Sequence, residues 1–160
     1  MPTTAKMTLP APHLESRDAF EVTGMSDHFT FGSIPTIPAA LWAAMNDRED
    51  EIVSVQPCAY GISYDTTMGE GFRYLAGYAT ALGAAVPAGM TLLKVPAGNY
   101  AVFVHDGHVS QIHQTMPSIF DSGLPDVGLT ARAAPEVEIY DNRFDPKTGL
   151  GSVELWIPVE

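Results

Sequence analysis

The order of strands and helices in this sequence predicts an α+β fold, an antiparallel sheet layered with two main helices. Stretches with period-two alternation, bounded by glycine and proline, are interrupted twice by stretches with helical spacing. The resulting order reads β-α-β-β, then β-α-β-β again. The links within each strand pair are short, which calls for hairpins and not for parallel crossovers. Identity between the halves is negligible, so the repeat lies in element order alone. At 160 residues, 46% hydrophobic and 17% charged, the chain is sized for one domain with a substantial core.

Residues 1–18 are rich in Pro, Thr and Ala, lack periodicity and read as a flexible N-terminal arm, with the folded domain over 19–160. "AFEVTGM" follows as a strand ended by Gly24. "TIPAALWAAM" predicts a helix near 36–46, with Thr36 as N-cap, Pro38 in the first turn and Leu41, Trp42 and Met45 on one face. "REDE" at 48–51 is a solvated charge run. "AYGISYD" and "FRYLAGYAT" are tyrosine-rich strands joined by a loop containing Gly69 and Gly71. "MTLLKVPAGNYAVFVHDG" is a strand pair, or one long strand broken at Pro96-Ala97-Gly98.

The second helix falls near 108–121. Val109, Ile112, Met116, Ile119 and Phe120 are helically spaced, Asp106 lies near the start and Gly123 past the end. Pro117 should kink or split it. "EVEIYD" and "VELWIPV" close the chain as strands.

These two strands raise the functional question. In "EVEIYD", Val137 and Ile139 share one face, and Glu136, Glu138 and Tyr140 share the other. In "SVELWIPVE", Glu154 and Trp156 lie opposite Val153, Leu155 and Ile157. An acid beside a large aromatic, twice over, fits an ordinary wet sheet face or a pocket for something cationic and flat. Tyr64 and Tyr74 are candidates to line such a pocket, because a buried phenol needs a hydrogen-bond partner. Trp42 and Phe103 are further candidate wall residues. Glu136, near the strand's start, reads as solvated surface.

Composition excludes several classes. The formal charge is −11 and the eight Lys and Arg are scattered singly, so no basic stripe exists to neutralise phosphates and direct DNA binding is not expected. An acidic field steers cationic molecules inward. One cysteine, Cys58, excludes an intramolecular disulfide and reads as a small core residue. The N-terminus lacks the apolar run of a signal peptide, and no stretch approaches the ~20 apolar residues of a membrane span, so a cytoplasmic location is expected. His105 reads as a turn residue, and His108 and His113, five apart, share no helical face. No metal site, phosphate loop, nucleophile elbow or cofactor motif emerges.

"FEVTG", "IPAALW", "YGISYD", "FRYLAGY", "VPAGNYAVFVHDG", "EVEIY" and the terminal "ELWIPV" follow one another in a series that resembles the GyrI-like, or bacterial effector-binding, family over about residues 19–160. The resemblance implies two β-α-β-β units about a pseudo-twofold axis, with a ligand cleft between them. It also implies an aromatic-walled cavity whose buried glutamate faces cationic ligands. The glutamate and aromatic of the family's Glu-x-Tyr motif match Glu138 and Tyr140. The acid of the last strand matches Glu154, with Trp156 where the family often has Tyr. The segment before Phe20 is too short for the helix-turn-helix domain that regulators of this family carry.

A stand-alone binder of hydrophobic, cationic or planar small molecules is the function these readings favour, acting by sequestration or sensing. Two alternatives stay open. One is a hydrolase of electrophilic, cyclopropane-type toxins with Glu138 as general acid or base. The other is a protein-interaction module of the gyrase-inhibitor type, whose protein partner the sequence does not name.

Overall fold

Nine antiparallel strands form one sheet among the described residues, which in this computed structural model are 10–30, 39–67 and 71–160. They are β1 (His13–Arg17), β2 (Phe20–Thr30), β3 (Ala59–Thr67), β4 (Gly71–Thr80), β5 (Thr91–Val95), β6 (Gly98–His108), β7 (Glu136–Tyr140), β8 (Phe144–Asp145) and β9 (Leu150–Val159). The helices are α1 (Ala39–Asn46) and α2 (Ile112–Ser118). The sheet order is β1-β6-β9-β7-β3-β4-β2-β5, with the short β8 beside β9. The predicted antiparallel α+β architecture is therefore present.

Connectivity within the sheet is self-matching. The first half contributes β2-α1-β3-β4 and the second β6-α2-β7-β9, and the two meet where β3 pairs with β7. Each half is also edged by a strand that precedes the other. β1 leads into β2 but pairs with β6, whereas β5 leads into β6 but pairs with β2.

β1 corrects the expectation of a loose arm through residue 18. "HLESR" has no apolar alternation because it is a mostly exposed edge strand, held by its ladder to β6 with His13 opposite Val102 and Arg17 opposite Gly98. Residues 1–9 lie outside the described residues, as do Thr36, Pro38 and Gly69. Gly24 does not end β2, which runs on to Thr30. It sits opposite Gly77 of β4, and a Cβ there would lie 2.0 Å from the Ala76 carbonyl oxygen, so its role is close backbone approach and not a turn.

Both helices cover the same face of the sheet. α1 packs Leu41, Trp42 and the fully buried Met45 against Tyr74 and Ala76. α2 and the π-helical turn Ile119–Gly123 after it bury Ile112 and Ile119 against Phe103, Leu155 and Ile157. Pro117 lies inside α2, and the wider π turn begins two residues later. Phe120, expected on the packed face, is exposed because that turn rotates it outward. Asp106 does not cap this segment. His108 does, its Nδ1 accepting the Ser110 backbone N–H at 3.1 Å, while Asp106 accepts from the Ser152 hydroxyl. His105 is a buried tie between β6 and α2, with Nδ1 2.9 Å from the Thr115 hydroxyl and Nε2 3.0 Å from the His108 carbonyl. No helix of the described residues is long and apolar enough to cross a membrane.

The opposite face has its own core of Val22, Tyr60, Ile62, Tyr64, Leu75, Val137 and Ile139, with Phe20, Cys58 and Trp156 packed against it. Arg17 reaches onto this face from β1. Its guanidinium lies 3.9 Å from the Phe20 ring centroid and donates to the Tyr60 hydroxyl at 2.9 Å.

Candidate ligand-binding site

Glu138 lies on the helix-covered face at the seam between the halves. Its strand partner there is Gly61 of β3, and Tyr74 of β4 stands one strand further along. The Tyr74 hydroxyl donates to Glu138 Oε1 at 2.9 Å, and the Tyr140 hydroxyl donates to the same oxygen at 2.7 Å. The indole N–H of Trp42 donates to the Tyr74 hydroxyl at 3.2 Å, and the indole meets the Tyr140 ring edge-on at 5.4 Å. Phe144 packs on the far side of Tyr140 at 5.1 Å, and Phe29 meets Tyr74 edge-on at 6.5 Å. Trp42 packs against both helix-covered clusters, which makes this aromatic group the junction between them.

The local sequence explains the arrangement. Period-two alternation in β7 sends Val137 and Ile139 to the opposite core and leaves Glu136, Glu138 and Tyr140 on the helix side. "YGISY" puts its glycine opposite Glu138. A Cβ on Gly61 would lie 2.0 Å from the Tyr74 hydroxyl oxygen and 2.8 Å from Glu138 Oε1, so the missing side chain is what lets the phenol and carboxylate meet. Sequence reading overlooked Gly61, although a glycine inside a strand pattern signals a close approach.

The electrostatics follow from enclosure. Glu138 is half-buried, and the protein packed around it partly desolvates its carboxyl. Burial pushes its pKa above the ordinary carboxylate range, while the Tyr140 and Tyr74 hydrogen bonds pull the other way and do not fully compensate. Burial, with the nearby Glu138 charge, pushes both phenols well above their usual value, so they remain donors. Among the described residues no basic side chain pairs with Glu138, and no protein hydrogen bond reaches its Oε2.

Glu136 corrects its reading as solvated surface. It is half-buried on the same face, opposite Ser63, and its pKa is pushed up to about 7, first by burial and then by the Glu138 charge. An unfolded glutamate titrates near 4.3, so between that pH and about 7 the folded chain holds a proton that the unfolded chain has lost. Stability therefore falls as pH rises through this window. Because Glu136 retains some contact with water, we expect Glu136→Gln to stabilise the fold by about 1–2 kcal/mol near pH 8 and to change nothing near pH 4. Denaturant titrations at the two pH values check this, and an equal effect at both would refute it.

Of the residues singled out from sequence, Glu138, Tyr140, Tyr74 and Trp42 come together. Phe103 lies on the same face but is fully buried in the α2-side core. Glu154, Trp156 and Tyr64 do not join them. Glu138 is opposite Leu155 in the ladder, which turns Glu154 and Trp156 to the other face. There Glu154 receives Arg143 at 2.6 Å and the Trp156 indole N–H at 2.8 Å. Tyr64 also faces that side, its hydroxyl 2.6 Å from the Ser26 hydroxyl. Among the described residues no group of three or more His, Cys, Asp and Glu is placed to hold a metal.

Comparison with known proteins bears on the fold and the family. BrlR, a transcriptional regulator of Pseudomonas aeruginosa, is 39% identical over 148 residues, covering 89% of this chain and 53% of BrlR, so the chain spans about half that relative's length. An integron cassette protein from the mobile metagenome of Vibrio cholerae superposes with a TM-score of 0.70 at 17% identity, over 95% of this chain and 97% of that one. The structure of SAV2435 bound to tetraphenylphosphonium also gives a TM-score of 0.70, at 16% identity and 94% coverage of each chain. These two likenesses concern the fold. Residues 10–160 match the GyrI-like small molecule binding domain, and the chain belongs to that family.

Proposed function

We propose that this protein binds hydrophobic, flat or globular organic cations at Glu138, with Trp42, Tyr74 and Tyr140 as the aromatic walls. The observation that carries the reading is a half-buried, partly desolvated carboxyl held by two phenols, with no basic partner among the described residues. Ionised, such a group lacks a countercharge, and a lipophilic cation supplies one while aromatic faces add about 0.5–2 kcal/mol each. Binding of tetraphenylphosphonium by SAV2435, a protein of the same fold, supports this choice of ligand chemistry.

Titration calorimetry with tetraphenylphosphonium and with triphenylphosphine oxide, an uncharged relative of similar bulk, tests it. The cation should bind at least about tenfold more tightly near pH 8, as one uncompensated charge in a partly desolvated site requires. Equal affinity for the two would show that the site reads bulk and not charge.

A further inference from the structure

The acidic face of β7 carries more charge than one lipophilic cation needs. Glu136 and Glu138 point the same way from one strand, two residues and so about 6.6–6.8 Å apart along it. Glu136 forms no side-chain hydrogen bond or ion pair among the described residues and is half-buried. Glu138 uses Oε1 for both phenols and leaves Oε2 unengaged. The residues opposite them on β3 are Ser63 and Gly61, the two small members of "GIS"; the Tyr74 hydroxyl takes the space over Gly61, where it meets Glu138 Oε1, and the small Ser63 stands opposite Glu136. Among the described residues neither acid forms an ion pair with a basic side chain.

We propose that Glu136 is a second anionic subsite beside Glu138, and that the site selects flat ligands bearing two positive charges over singly charged ligands of the same shape. This rests on the reading of Glu138 as a cation site and adds the ligand's charge number and spacing to it. A monocation offsets one carboxylate and leaves the other without a countercharge. A rigid dication with charges about one strand dipeptide apart offsets both, and an aromatic core between the charges fits the walls made by Trp42, Tyr74 and Tyr140.

The probes are 1,1′-dimethyl-4,4′-bipyridinium, whose two ring nitrogens are separated by about that distance, and N-methyl-4-phenylpyridinium, nearly the same shape with one charge. Calorimetry at fixed ionic strength near pH 8, where Glu136 is ionised, compares the parent chain, Glu136→Gln and Glu138→Gln, each first checked for cooperative thermal unfolding. In the parent the dication should bind at least about tenfold more tightly, and Glu136→Gln should bring the ratio close to one. Glu138→Gln should weaken both probes. A parent ratio near one, or a ratio that survives Glu136→Gln, overturns the second subsite while leaving the cation site intact if Glu138→Gln still weakens both probes. If Glu138→Gln weakens neither, or the parent binds neither, the cation site itself fails and the inference falls with it.

Discussion

Gly61→Ala is expected to destabilise the fold by about 2–4 kcal/mol and to remove cation binding, through a single methyl group. The new Cβ would lie 2.0 Å from the Tyr74 hydroxyl oxygen and 2.8 Å from its ring carbon Cζ. Tyr74 is 3% exposed and flanked by Phe29, and its hydroxyl joins Trp42 to Glu138, so it has no open direction in which to yield. Moving it breaks both hydrogen bonds and leaves buried polar groups unpaired, each costing about 1–3 kcal/mol. Against this, alanine in a strand gains roughly 0.5–1 kcal/mol over glycine in backbone entropy, too little to reverse the sign. Urea unfolding with a tetraphenylphosphonium titration checks both effects. An unchanged midpoint with unchanged affinity would mean that β3 and β4 part easily at this point, and that the close approach is unimportant.

For Glu138→Gln we expect tetraphenylphosphonium affinity to fall by about 1.5–3 kcal/mol, the range for interactions of a charged group, and triphenylphosphine oxide to lose much less. Glutamine keeps the volume, and its amide oxygen can still accept the Tyr74 and Tyr140 hydroxyls. The stability change has the opposite sign to the affinity change. Burial raises the folded-state pKa of Glu138, so the ionised carboxylate costs stability above the unfolded value near 4.3, and that cost disappears on protonation or in the variant. The variant should be level with or more stable than the parent near pH 8 and level with it near pH 4. Parent-like cation affinity would reduce Glu138 to a structural acceptor for two phenols.

The elements were legible because each announces itself locally. Leu41, Trp42 and Met45 mark the packed side of α1, and alternation marks β3, β4, β7 and β9. β1 was not legible, since an exposed edge strand gains its stability from a ladder to residues far along the chain. The site was half legible for a related reason. Alternation states which residues of one strand share a face, and it put Glu138 with Tyr140 correctly. It says nothing about the phase of one strand against the next. Only the pairing of Glu138 with Leu155 shows that Glu154 and Trp156 look the other way, and the pairing of Ser63 with Tyr74 does the same for Tyr64. Gly61 matters through what it lacks, which becomes visible once its cross-strand neighbours are known.

The exchanged edge strands have a kinetic consequence. β1 must find β6 some ninety residues away, with His13 settling against Val102, and β5 must reach back to β2. Nascent chain leaving the ribosome can form the β3–β4 hairpin early, yet its first half cannot be edged on one side until β5 has emerged, nor can β1 be used until β6 exists. Such dependence on distant pairing slows the search, because loop-closure entropy is spent before the contacts repay it. It also binds the halves into one cooperative unit. Local opening of either outer strand therefore exposes a ladder edge belonging to the other half.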